Sequence, residues 1–351
     1  AIQLQPSAET EGNPVFTPLD DKSAWYIARA HVQASDSHVH EAIYHLLETH
    51  LVAEVFAIAT HRELHPDHPL AQLLGPHFEN TYAINEQARK NLLGAHGEIA
   101  RCMAAQHTGA IDAVRLISAS WRHDERTIEA DFSSRDVGEL PNYFYRDDAR
   151  KMWDVIRAYV SDILGVWYDS DADVREDMEL RGWLAALRSP DELRLQGLPE
   201  RLETREALYD LIAHVMFRAS AQHAAVNNGQ FGAYGWIPNA STAVYGDLPT
   251  EKPPVTDDDL TRYFDALPDR KRTLGQAGMV WLLSEPTEHS LLRAGECAAF
   301  MPETQPEAAE AVGRFRRRLR GLSDEIDRRN AETGVHDTYL KPQNVDRSIS
   351  L

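Results

Sequence analysis

Apolar residues recur every three to four positions over long stretches of this chain, the spacing that lines one face of an α-helix. The longest stretch runs from 22 to about 64 and contains neither proline nor glycine. It predicts one long helical segment, with a break expected near Ser35-Asp36-Ser37. His65-Pro66-Asp67-His68-Pro69 should end it, because proline lacks the helix N–H and clashes with the preceding turn. A second helix is predicted over 84–93, with Asn85 near its start and Gly94 and Gly97 after it. Others are predicted at 99–119, 146–167, 171–188, 203–228, 257–266, 271–285 and 305–331. Residues 1–4 read as a short strand, followed by a loop marked by Gly12, Pro14 and Pro18. The segment 228–254 is irregular, and connections of that length usually serve a function or act as a cover. There is no internal repeat, low-complexity run or clear linker. The expected architecture is one mostly α domain over 1–351.

Composition narrows the function classes. Hydrophobic residues make up 43% of the 351, ordinary for a globular chain. No uninterrupted apolar run approaches the roughly 18 residues of a membrane span, so no transmembrane segment is expected. A formal charge of −19 opposes nonspecific binding to nucleic acid or to anionic membrane. Two cysteines, Cys102 and Cys297, are too few for a disulfide framework or a structural zinc site. The opening AIQLQPSAET has no basic or secretory character and no Met. A processed end or a piece of a longer product is expected, and a cytoplasmic location, or a secreted or periplasmic one if a signal lies in a missing N-terminal segment.

Histidine is the unusual count, at 16, and its spacing carries the argument. The segment HEAIYHLLETH places His40, His45 and His50 at five-residue steps. Five residues turn an ideal α-helix side chain through about 140° from the first, so two such ligands would not meet one metal. A π-type turn, with i→i+5 bonding, would bring them onto one face, and such turns gather at functional sites. Either the spacing is accidental or this helix is locally π-wound around a metal. Further on, SAQHAAVNNGQF puts His223 and Asn227 at i,i+4, a single α-helical face. Imidazole with a carboxamide oxygen suits an iron-type metal, although such a pair alone is usually structural. His40-Glu41 opens like a zinc-peptidase HExxH helix, but position 44 is Tyr44 and that geometry fails.

Together with these clusters, several segments make the chain resemble the C-terminal, iron-binding half of a lipoxygenase catalytic domain. They are AIQLQ, WYIARAHVQASDSHVHEAIYHLLETHLVAEVFAIATHREL, HPLAQLLGPHFENTYAINEQAR, ASAQHAAVNNGQF with WIPNA, ALPDRKRTLGQAGMVWLLS and YLKPQNVDRSISL. They are spread from the first residue to the last. The resemblance implies a helical fold around two long central helices, incomplete on its N-terminal side and without the family's β-sandwich lipid-binding domain. It implies one non-haem iron, with manganese as second choice, held by His45, His50, His223, Asn227 and the main-chain carboxylate of Leu351. His40 falls outside that set. Three neutral imidazoles, an amide and one carboxylate give a single negative charge. Uptake of an electron with a proton then leaves the buried charge unchanged, which avoids a desolvation penalty.

The implied chemistry is hydrogen abstraction from the 1,4-pentadiene of a polyunsaturated fatty acid, followed by O2 addition to give a hydroperoxide. A metal-bound hydroxide would act, with no catalytic side chain beyond the ligands. Leu92 and Leu283 would hold the pentadiene, Ile99 would line the same cavity, and Cys102 and Met103 would set its depth. Without the resemblance, all of these read as ordinary core residues. Ala88 stands where alanine usually accompanies S products and glycine R products. Glu41 and Gln230 are expected around the ligands. Three departures stand out: leucine at 351 for isoleucine, Glu41 for glutamine, and Asn228 for phenylalanine. An N-terminal segment of the same enzyme is the expected partner, as a second chain. Two alternatives are a lipoxygenase-fold hydroperoxide isomerase with the same ligands and a non-catalytic lipoxygenase-like subunit. Retention of all five ligand positions speaks against the second.

Overall fold

Asp21 starts the longest helical run by accepting hydrogen bonds from the amides of Ser23 and Ala24. The run is three elements laid end to end: an α-helix Lys22–Val39, a π-helix His40–Leu51 and an α-helix Val52–Glu63. Leu64 is extended at φ −108°, ψ 136°, ahead of the His65-Pro66 step. No break occurs at Ser35-Asp36-Ser37, contrary to expectation. The Ser35 and Ser37 hydroxyls donate back to the carbonyls of His31 and Ala34, so both residues sit within the helix. The computed structural model describes residues 1–7, 9–252, 254–284, 289–293 and 300–349. By length and composition the run Lys22–Glu63 would suit a membrane span, with mean hydropathy 1.3 over its most apolar window. Yet 72% of that window is buried inside the protein, the setting of a core helix.

The described residues contain no strand. The segment 1–4 contributes one antiparallel bridge, Ile2 to Phe16. The other predicted helices are present with shifted bounds, and four break or change winding within their length. The 99–119 stretch is Glu98–Cys102 and Gln106–Ser120, and Gln106 has φ 53°. The 171–188 stretch divides at Asp177, whose carboxylate caps the helix Met178–Arg188. The 203–228 stretch holds a second π-helix, Arg218–Gln222, between Arg205–Phe217 and His223–Asn227. A third, Ala88–Leu92, follows the α-helix Thr81–Gln87.

The chain groups into two compact units. The first takes Ala1–His45, Glu86–Leu116 and Gly229–Glu285. Its core includes Phe16 with Ala24 and Ala28, Ile99 with Met103 and Ala110, and Tyr234 with Ala240 and Val280. The second takes Leu46–Asn85, Ile117–Asn228 and Pro286–Leu351. There the helix Phe144–Leu164 buries Ala149, Met152, Ile156, Val160 and Ile163 completely, the three-to-four spacing of one face. Each of the large members of that stripe contributes about 1.5–3 kcal/mol of burial. Tyr159 stacks on Phe315 of the helix Pro306–Thr333, with ring centres 4.1 Å apart. Trp183 is fully buried and donates through its indole N–H to Thr60.

Candidate metal centre

His45 and His50 lie within one π-helix, His40–Leu51. The π winding answers the spacing problem, since i→i+5 bonding returns a side chain five residues on to the same side. His45, His50 and His223 each offer a ring nitrogen, and these three atoms lie within 4.8 Å of one another. All three residues are buried. His50 Nε2 and His223 Nε2 are 3.1 Å apart.

Neighbouring polar groups decide which nitrogens face the cluster. Asn85 is 1% exposed, and its amide nitrogen donates to the His50 carbonyl at 3.0 Å and to Glu54 Oε2 at 2.9 Å. Both partners are acceptors, so the amide orientation is settled and Oδ1 must accept from His50 Nδ1, at 2.9 Å. Nδ1 of His50 therefore carries a proton, and Nε2 is the nitrogen turned toward His223. Glu41 Oε2 does the same for His45, accepting from Nδ1 at 3.1 Å. Burial pushes the Glu41 carboxyl up, but hydrogen bonds and charge from His40 and His45 outweigh it and hold it down at about 2. Each carboxylate or carboxamide partner fixes a ring and its tautomer, as partners behind metal-bound histidines generally do.

Asn227 is 1% exposed and lies four residues after His223 on the same α-helix. Its amide nitrogen donates to Asn228 Oδ1 at 3.4 Å. Asn228 in turn donates to the Asn344 carbonyl at 2.6 Å, so this departure from the family pattern ties the ligand helix to the C-terminal segment. Leu351 lies outside the described residues. The tail leading to it is held firmly: Arg347 pairs with Glu79 at 2.5 Å, and its carbonyl accepts from His77 at 2.5 Å. Ile349, fully buried, packs against Ala53 and Ala219, one from each of the helical runs that carry His50 and His223. The donor set fits a cation such as iron: three buried ring nitrogens converge within 4.8 Å of one another, and a buried carboxamide, Asn227, follows His223 on its helix.

The remaining site residues occupy the first unit. His40 is outside the cluster and stacks between His45 and Tyr234, at 6.4 and 5.6 Å. Ala88, Ile99, Cys102 and Met103 are buried, and Leu92 packs on Ile99 and Met103. Ala88 and Leu92 open and close the third π-helix. Cys102 turns its thiol toward Glu98 Oε2 and the Arg272 carbonyl, each at 3.6 Å. Gln230 is 2% exposed, and Leu283 is half-buried at the end of the helix Arg270–Leu283. Sequence reasoning missed Asn85 as the partner of His50. It stands 35 residues away, and only its polarity in a stretch of helix gave a signal.

The family model described as "Lipoxygenase" matches residues 1–341. Among curated proteins, a polyunsaturated fatty acid lipoxygenase ALOX15B of Rattus norvegicus is 35% identical over all of this chain and 51% of its own length. A hydroperoxide isomerase ALOXE3 of Homo sapiens is 34% identical over all of this chain and 49% of its own. Among solved structures, a lipoxygenase variant in complex with arachidonate superimposes with TM-score 0.92 at 27% identity, over 99% of this chain and 52% of that one. A coral 8R-lipoxygenase gives TM-score 0.91 at 27% identity, over 97% and 52%. The chain spans about half the length of the relatives it matches.

Proposed function

The chain belongs to the lipoxygenase family, and from that premise we propose that it carries the metal centre of a non-haem iron dioxygenase acting on polyunsaturated fatty acids. The observation that carries the reading is the convergence of His45, His50 and His223 ring nitrogens within 4.8 Å, with the rings of His45 and His50 turned by Glu41 and Asn85. In this proposal those three histidines, Asn227 and the main-chain carboxylate of Leu351 hold one iron. When bound, the iron supplies the one-electron oxidation by which a 1,4-pentadiene methylene loses hydrogen and takes up O2 as a hydroperoxide. The chain's own residues do the rest. Glu41 and Asn85 keep the Nδ1 protons in place, so that the Nε2 lone pairs face the metal. Ala88, Leu92, Ile99, Cys102, Met103 and Leu283 provide an apolar lining for the acyl chain.

The similarity to a hydroperoxide isomerase supports a second reading, in which the same ligands rearrange a fatty acid hydroperoxide. Products formed from linoleate under air, with and without added hydroperoxide, separate the two. Conjugated-diene hydroperoxide from linoleate alone supports the dioxygenase, and products only from added hydroperoxide support the isomerase.

We also propose a companion segment corresponding to the other half of the relatives. On the helix Arg270–Leu283, Leu274, Trp281 and Leu282 are 63%, 53% and 58% exposed, and such an apolar face is ordinarily covered. Light scattering with intact-mass analysis of the active species tests this. A fully active lone 39.6 kDa chain would refute it.

A further inference from the structure

The two helical runs that bring His50 and His223 together are joined a second time, through a buried ionic link that does not include the histidines. Glu48, two residues before His50, and Arg218, five before His223, each have side chains 3% exposed. Arg218 Nη1 donates to the Glu48 carbonyl at 3.0 Å and lies 3.9 Å from its carboxylate. Gln222, one residue before His223, donates to Glu48 Oε2 at 3.3 Å. Arg126 closes the group: its Nε is 3.4 Å from Glu48 Oε1, and its carbonyl accepts from Arg218 Nη2 at 3.0 Å. The Trp121 ring lies 5.3 Å from the Arg218 guanidinium.

A buried ion pair is a poor way to add stability, because desolvation offsets most of the attraction and an apolar replacement of similar volume is often neutral. What a directional network does supply is register. All three linking side chains belong to π segments: Glu48 to the first, and Arg218 and Gln222 to the two ends of the second. Glu48 and His50 both reach the other run, Glu48 at Arg218 and Gln222 and His50 at His223, so the link and the cluster share one pair of helices. We propose that Glu48, Arg218 and Gln222 are positioning residues that set the register of the two ligand-bearing helices, so that His50 and His223 converge before a metal arrives. The proposal rests on the metal-centre reading above.

The test uses the intact protein expressed from its natural coding sequence, stripped of metal and titrated with Co(II). Glu48→Met combined with Arg218→Met removes the link at similar volume. The metal-free variant should melt within a few degrees of wild type, yet bind Co(II) at least tenfold more weakly, with shifted d–d absorption bands. A link that is merely structural would leave both the affinity and the bands in place. Affinity within twofold of wild type, with superimposable bands, overturns the proposal. Glu48→Gln, close to isosteric, is the second variant should the double one not fold. A several-fold loss of Co(II) affinity supports the proposal there, and unchanged affinity overturns it. If wild type itself takes up no Co(II), the metal-centre reading falls and this proposal with it. Wild-type binding matched by the variants overturns this proposal alone.

Discussion

Asn85→Leu should weaken metal binding while leaving the fold in place. Leucine shares asparagine's branched skeleton but has no hydrogen-bonding group. The substitution removes three contacts: the acceptor for His50 Nδ1 at 2.9 Å, and the donors to the His50 carbonyl at 3.0 Å and Glu54 at 2.9 Å. The carbonyl keeps its helical setting and Glu54 is half-buried, so the main loss falls on the His50 ring. An unsatisfied buried donor costs about 1–3 kcal/mol. The ring can then escape by moving its proton to Nε2, which takes the lone pair away from the cluster. Loss of a partner behind a metal-bound histidine typically lowers metal affinity about 10–100-fold, or about 1.4–2.8 kcal/mol. The assay is Co(II) or Fe(II) titration of metal-free protein, beside thermal melts of the same samples. Asn85→Asp gives the contrast: a carboxylate still accepts from Nδ1, so metal affinity should hold while stability falls through the two lost donors. Metal affinity of Asn85→Leu within twofold of wild type would refute the reasoning.

Three further outcomes follow from the same geometry. Deleting Leu351 should abolish iron binding and turnover, because the carboxylate of Ser350 falls one residue short; near-normal iron content by elemental analysis would remove Leu351 from the ligand set. Burial pushes the His77 ring down to about 4, with charge from Arg347 adding to it and the bond to the Arg347 carbonyl opposing it. Since the native value lies below the unfolded one of about 6.5, His77's share of stability is complete above that pH and lost as pH falls toward 4, about 3 kcal/mol in all. Urea denaturation between pH 7 and 5 measures it, and a His77→Asn variant with the same slope as wild type would count against it. Ala88→Gly should move the hydroperoxide product toward the R configuration, read by chiral chromatography; an unchanged ratio would detach Ala88 from oxygen access.

Part of the site was legible because it violates a simple period. Five-residue histidine steps do not fit an α-helix, and the π-helix His40–Leu51 is the winding that accommodates them. The second π-helix, Arg218–Gln222, left no such trace, because His223 and Asn227 stand at an ordinary α-helical spacing and the π turn lies just upstream. Ser35 and Ser37 looked like a break by propensity, yet each folds its hydroxyl onto the preceding turn. Asn85 and Arg218 were unreadable for another reason. Their partners stand 35 and 170 residues away, so only the packed helices bring them together. Asn228 was recognised as a departure, but its role in joining Asn227 to Asn344 needed the structure.

On the proposed reading, the three converging histidines hold an iron that oxidises a pentadiene. The most direct measurement is iron content of the purified protein together with linoleate turnover, followed as conjugated-diene absorbance. Close to one iron per chain is expected, with diene formation that disappears on chelation. A protein that binds no metal, or that binds iron and leaves both linoleate and its hydroperoxide unchanged, would contradict it.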